Sequence, residues 1–205
     1  MLAAAPDFVA VLLLAAGASS RMGRPKQLLP YRGRSLLRHA AETAVAVGCG
    51  PVLLVTGAEH ETLLPEVAGL PVQVVPNAAW AEGLSSSIRA GLAAAEALPG
   101  RCRGVLIVLA DQPLVTPALL GQLVALHRQS ARPIVAAAYD DGLGVPALFG
   151  AEVFAELRAL RGAAGARHLL AANPGRVQPL PGAAALLDVD TPADYARLLA
   201  GPPAS

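Results

Sequence analysis

The chain has 205 residues, 54% of them hydrophobic and 15% charged, which suits one globular domain over 1–205 and excludes a disordered chain. Sixteen basic residues stand against fifteen acidic ones, a formal charge of +1. That balance offers no global field for nucleic acid or an anionic membrane, so any anion must be held locally. The longest apolar stretch, Phe8 to Ala16, is far shorter than the roughly 20 residues that span a bilayer, and no basic residue precedes it as in a signal peptide. A cytoplasmic protein is therefore expected. Cys49 and Cys102 lack metal-ligand or redox-motif spacing and are expected to be core thiols.

Short apolar runs alternate with amphipathic or Ala/Leu-rich stretches, the pattern of a Rossmann-like wound α/β domain with a mostly parallel sheet and helices on both faces. In chain order, the pattern predicts a strand over Val9–Ala15, a helix over Leu36–Val47, a strand over Val52–Thr56 and a helix over Glu59–Val67. A strand over Val72–Val75, a helix over Leu84–Leu98 and a strand over Val105–Leu109 follow. Pro117–Ser130 reads as a helix capped by Thr116, and Ile134–Ala138 as a strand. Helices over Glu152–Arg161, Ala166–Ala171 and Thr191–Leu199 complete the set, with Asp190 or Thr191 able to cap the last. The pieces Gly162–Gly165 and Asn173–Gly182 read as loops.

In an open parallel sheet, ligands bind at the carboxyl ends of the strands. The first strand runs directly into Gly17-Ala18-Ser19-Ser20-Arg21-Met22-Gly23-Arg24-Pro25-Lys26. The loop is neither a Walker A motif nor G-x-G-x-x-G, and the latter absence argues against a nicotinamide dehydrogenase. Its small residues still let backbone N–H groups approach phosphate oxygens, and Arg21 and Lys26 supply positive charge. Lys26 is the chain's only lysine among sixteen basic residues, and a compact ammonium suits a shifting phosphate better than a guanidinium.

Three later motifs follow apolar runs. Asn77 leads through Trp80, expected in core or rim packing, to Gly83-Leu84-Ser85-Ser86-Ser87 at a helix start. There, exposed N–H groups and small hydroxyls can receive a nucleotide, or a serine can simply cap the helix. Asp111, in Asp111-Gln112-Pro113, would be satisfied at a strand end by a divalent cation, or would serve as a turn residue. Asp188 and Asp190 share one face if extended and could both look toward one cation, unless Asp190 caps the last helix. His39, His60, His127 and His168 have no metal-ligand spacing and are expected on the surface or on helices.

Leu14-Ala15-Ala16-Gly17, Arg21-Met22-Gly23 and Pro25-Lys26-Gln27-Leu28-Leu29 resemble the signature loop of nucleotidyltransferases, and within them the branch acting on molybdenum cofactor. Ala15-Ala16-Gly17 resembles the molybdenum cofactor cytidylyltransferases, where guanylyltransferases usually carry Ala-Gly-Gly. The resemblance implies a nucleotide-diphospho-sugar transferase-like fold, with nucleotide bound by the N-terminal part and acceptor by the C-terminal part. It implies transfer of CMP from CTP to the phosphate of molybdopterin with release of pyrophosphate. Leu14, Ala15, Ala16, Gly17, Ser19, Arg21, Lys26, Asn77, Gly83, Ser85, Ser86 and Asp111 would bind nucleotide, with Arg21, Lys26 and Asp111 catalytic. Asp111 and Asp190 would hold Mg²⁺, and Pro146, Arg167 and Asp188 would face the acceptor.

The implied partners are the triphosphate, a phosphorylated pterin, and a molybdoenzyme or its chaperone. Gly162-Ala163-Ala164-Gly165-Ala166-Arg167 lacks the aspartate common in that family, so the acceptor end is the least typical part. The same chemistry with GTP, or with methylerythritol phosphate, a sugar phosphate or phospholactate as acceptor, stays open, as does a non-catalytic cofactor-delivery protein.

Overall fold

The computed structural model describes residues 6–19, 22–140, 142–182 and 188–201. The elements run β1 (Asp7–Ala15), a hairpin of β2 (Pro30–Tyr31) and β3 (Arg34–Ser35), α1 (Leu36–Ala46), β4 (Val52–Thr56), α2 (His60–Leu63) and β5 (Val72–Pro76). They continue with α3 (Leu84–Glu96), β6 (Arg101–Leu109), α4 (Pro117–Gln129), β7 (Ile134–Tyr139), β8 (Gly142–Gly150), α5 (Phe154–Ala159), α6 (Arg167–Ala172), β9 (Val177–Leu180) and α7 (Pro192–Ala200).

The main sheet has the order β5-β4-β1-β6-β8-β7-β9. β8 runs antiparallel to both its neighbours and the other strands run parallel to one another, so the mostly parallel wound sheet is as expected. β1 lies inside it and is buried on both faces, which is why its sequence is an unbroken apolar run rather than an alternation. Successive residues still point opposite ways. Leu12 and Leu14 pack with Ile88 and Leu92 of α3, Leu157 of α5 and Leu170 of α6. Val11 and Leu13 pack with Leu37 and Ala41 of α1, Leu63 of α2, and Leu120 and Leu123 of α4. A third cluster joins Leu29, Tyr31 and Leu36 to Val189 and Leu198, and so brings the chain's last helix back to the loop after β1.

Two strands depart from expectation. β8 is obscured by Gly142, Gly144 and Gly150 and by Pro146, which argues against an inner strand. The structure accommodates Pro146 at an irregularity: the register with β7 shifts between Ala136 and Ala137, leaving Val145 and Pro146 out of the ladder. β9 falls in the segment expected to be a loop; among the described residues it pairs only with β7, and its Pro179 is tolerated at that sheet edge. The helix expected over Glu59–Val67 is cut to one turn of α2 followed by a 3₁₀ turn, with Pro65 near the start of that turn. Cys49 and Cys102 are half-buried free thiols, each beside one of the two cores, and burial pushes both up. Among the described residues, no helix is long and apolar enough to cross a membrane.

Candidate active site

β1 and β6 are neighbouring parallel strands, so the segments leaving their carboxyl ends open beside each other. From β1 the chain passes Ala16 and the exposed Gly17 and returns in a 3₁₀ turn over Lys26–Leu28. The described part of this loop is held by Gln27, which is 2% exposed. Its amide nitrogen donates to the carbonyls of Ala15 (3.2 Å) and Gly17 (3.0 Å), and its oxygen accepts from the Ser19 hydroxyl (3.1 Å). The Ser19 Oγ in turn accepts the Lys26 N–H at 3.0 Å. Leu14, Ala15 and Ala16 have buried side chains, so only their backbone can reach a ligand. Arg21 lies outside the described residues.

From β6, Ala110 donates to the Leu14 carbonyl (3.1 Å), and Asp111 follows. The Asp111 carbonyl accepts from Val189 N–H at 3.0 Å, which pins the Asp188–Asp190 segment beside the β6 end. The result is an ion cluster: Lys26 Nζ contacts Asp111 Oδ2 and Asp190 Oδ1, the latter at 2.7 Å. The Lys26 and Asp111 side chains are each 15% exposed and that of Asp190 33%. Burial opposes the Lys26 charge, but Asp111 first and then Asp190 outweigh it and hold the ammonium above its ordinary value. Burial pushes the Asp111 carboxyl up against the pull of Lys26, so its charge is costly unless a cation stays beside it. Asp111 Oδ1 is buried with no hydrogen-bond partner.

Asp190 can face Lys26 because Thr191, not Asp190, caps α7. The Thr191 hydroxyl accepts from Asp194 N–H (3.2 Å), and Asp194 Oδ2 accepts from Thr191 N–H (2.8 Å), a reciprocal capping box. Thr191 first, and then Arg197, hold the Asp194 carboxyl down at about 2. Asp194→Ala is expected to cost about 1 kcal/mol, read as a lower melting temperature. A carboxyl depressed on folding stabilises above its ordinary value of 3.8 and loses that effect as pH falls toward 2. The difference between wild type and variant should therefore shrink over that interval in acid melts.

Asp188 is held apart from Lys26. Gln112, 4% exposed, donates from Nε2 to Asp188 Oδ1 (2.9 Å), to the Val145 carbonyl (3.1 Å) and to the Tyr139 hydroxyl (3.3 Å). One amide thus ties the β6 end, the carbonyl before the buried Pro146, and the segment before α7. Gln27 and Gln112 are the two residues that sequence reasoning did not assign to the site, although both stand inside the quoted motifs.

The start of α3 differs from expectation in orientation. Ser85, Ser86 and Ser87 are buried, and none caps the helix; the N-cap is Gly83. Asn77 Nδ2 donates to Ser86 Oγ (2.8 Å) and Ser87 Oγ (3.1 Å), while Ser85 Oγ is buried without a partner. The Ser85 N–H, expected to point outward, donates to the Gly162 carbonyl at 3.2 Å. Gly83 has φ +100°, and a Cβ there would lie 2.7 Å from Ala163 Cα; only glycine lets the 162–165 turn close on this helix. Arg167 begins α6 and is exposed. Trp80 is 37% exposed at the rim, its Cβ packed close over Gly57. His39 lies half-buried on the helix α1, and one ring nitrogen is 3.0 Å from the Pro113 carbonyl.

Among the described residues, no group of three metal-ligating side chains occurs. Two carboxylates with an unused buried oxygen nonetheless fit Mg²⁺, which takes one or two carboxylates and completes its shell with phosphate oxygens and water.

Comparison with known proteins shows the family. Residues 11–177 match the MobA-like NTP transferase domain. The purine catabolism protein PucB of Bacillus subtilis (strain 168) is 31% identical over 196 residues, covering 90% of this chain and 92% of PucB. Nicotine blue oxidoreductase of Paenarthrobacter nicotinovorans is 42% identical over 118 residues, a match to 57% of this chain that spans 56% of that relative. The crystal structure of Rv0371c from Mycobacterium tuberculosis H37Rv aligns with a TM-score of 0.82 at 34% identity, over 95% of this chain and 99% of that one. Its complex with manganese aligns at 0.79 and 32% identity, over 95% and 100%. Fold, loop and family match together make the chain a nucleotidyltransferase that belongs to the MobA-like NTP transferase family.

Proposed function

We propose that this protein transfers CMP from CTP to the terminal phosphate of molybdopterin, releasing pyrophosphate in a magnesium-dependent reaction in the cytoplasm. The observation that carries the reading is the cluster of Lys26, Asp111 and Asp190 at the carboxyl ends of β1 and β6, beside the small-residue loop. Asp111 and Asp190 would hold the metal, and the manganese complex of Rv0371c supports a divalent ion on this fold. When bound, the ion would neutralise charge on the triphosphate and polarise its α-phosphoryl group.

The chain's own residues supply the rest. The backbone from Gly17, clamped by Gln27 and Ser19, cradles phosphate oxygens, together with Arg21. Lys26 binds the phosphates and neutralises charge that grows on the leaving pyrophosphate. Asn77, Gly83, Ser85 and Ser86 shape the nucleoside side, and Pro146, Arg167 and Asp188 the acceptor side. The acceptor is a phosphate monoester, already ionised near neutral pH, so its oxygen attacks the α-phosphorus without a dedicated base. Positioning and charge neutralisation then account for most of the rate. The choice of CTP rests on the resemblance at Ala16, where guanylyltransferases usually carry glycine; its buried methyl packs against Gly57.

The test is pyrophosphate release with Mg²⁺, molybdenum-loaded pterin and each of CTP, GTP, ATP and UTP in separate reactions. Turnover with CTP is the expected result. Turnover with GTP alone would keep the chemistry and reverse the base. The name of the 42%-identical relative denotes a redox activity, so the same samples are assayed for NAD(P)H consumption. Such consumption without pyrophosphate would overturn the proposal.

A further inference from the structure

We propose that Lys26 is a resident cation that holds the Asp111–Asp190 pair until triphosphate arrives, so that divalent metal enters only together with nucleotide. This rests on the reading of those two carboxylates as the metal-binding pair.

The ammonium touches one oxygen of each carboxylate, Asp111 Oδ2 and Asp190 Oδ1, and so stands where a bridging cation would be attracted. The three backbones are anchored separately. Lys26 N–H is tied to Ser19, the Asp111 carbonyl to Val189 N–H, and the chain after Asp190 is fixed by the Thr191–Asp194 capping box. The long methylene stem of Lys26 is therefore the easiest part of the cluster to move. The substitute is also incomplete. Asp111 Oδ1 is buried and receives no hydrogen bond, a cost that a further ligand to this oxygen would remove.

Charge decides the exchange. The ammonium already faces both carboxylates in a site whose Lys26 and Asp111 side chains are only 15% exposed. A divalent ion added while the ammonium stays would bring two cations onto the same two carboxylates, and their repulsion is large where water is scarce. If the ammonium leaves alone, it loses both partners and regains only water. Triphosphate would change this balance, because phosphate oxygens at the carboxyl end of β1 would offer the Lys26 ammonium new anionic partners. Metal and nucleotide are then coupled, and by linkage each tightens the other to the same degree. A lysine suits this task, because its ammonium acts as a point charge between separate oxygens, whereas a guanidinium fork is shaped for one planar partner. The other fifteen basic residues of the chain are arginines.

The experiment titrates Mn²⁺ into the full chain by electron paramagnetic resonance, with and without a non-hydrolysable CTP analogue. Lys26→Met is expected to bind Mn²⁺ at least tenfold more tightly than wild type in the absence of nucleotide, and to gain less than wild type on adding the analogue. Equal affinities without nucleotide would overturn the exchange. Asp111→Asn binding as well as wild type with the analogue present would instead overturn the assignment of the metal pair.

A second measurement needs no variant. Lysine labelled with ¹⁵N at Nζ gives a single side-chain resonance, because the chain has one lysine. Mg²⁺ alone should leave that resonance in place, and Mg²⁺ with the analogue should move it. A full shift with Mg²⁺ alone would overturn the proposal.

Discussion

Lys26→Ala should lower turnover by about 10²–10³-fold, the usual loss when one group aimed at developing charge is removed from a catalytic site. The reason is geometric. Lys26 is the cation placed between two strand ends, and its backbone is fixed by Ser19, which is itself held by Gln27. The truncated side chain also leaves Asp111 buried without its cation, so stability must be measured beside activity. Pyrophosphate release at saturating substrate checks the first effect and a thermal melt the second. Near-wild-type turnover in a folded variant would remove Lys26 from the chemistry.

Asp111→Asn should be as damaging to activity and milder to the fold. A metal-held charge is worth several kcal/mol, roughly three orders of magnitude in rate. The amide has nearly the shape of the carboxyl, and it no longer has to be charged in a place where burial pushes the carboxyl up. Activity should fall without recovery at high Mg²⁺, while the melting temperature moves little. An unchanged dependence on metal concentration would count against Asp111 as a ligand. Asp190→Asn is the natural companion, since Asp190 meets the same ammonium from the segment before α7.

Much of the fold is legible in the amino-acid sequence, and so are the residues of the ion cluster, though not their pairing, for identifiable reasons. Val9–Ala15, Val52–Thr56 and Val105–Leu109 are strands buried on both faces, and such strands read as bare apolar runs. Thr116 and Thr191 are readable as caps because each precedes a proline at the first helical turn. β8 is not, because an inner strand with three glycines and a proline is foldable only where the ladder is interrupted. Asp190 is ambiguous for a different reason: its competition with Thr191 for the cap is settled by the return bond from Asp194, four residues later. Gln27 and Gln112 carry no charge to attract notice. Their role lies in distances between segments far apart in sequence, such as the Gln112 bond to Asp188. The serines of α3 are legible as a group but not in direction, since composition does not say which side of a helix start faces water.

The contact of Asp190 with Lys26 spans 164 positions, and the Tyr195 hydroxyl reaches back to the Pro30 carbonyl at 2.6 Å across a similar span. A ribosome builds the chain in the other direction. Every described strand of the large sheet has been synthesised once Leu180 is made, ten residues before the second carboxylate exists. During that interval a nascent chain can order its apolar layers while Lys26 and Asp111 still lack the second carboxylate. On the proposed reading of Asp190 as a metal ligand, chemical competence comes only after the sheet, and copies stopped before Asp190 are expected to leave the cell's triphosphate untouched.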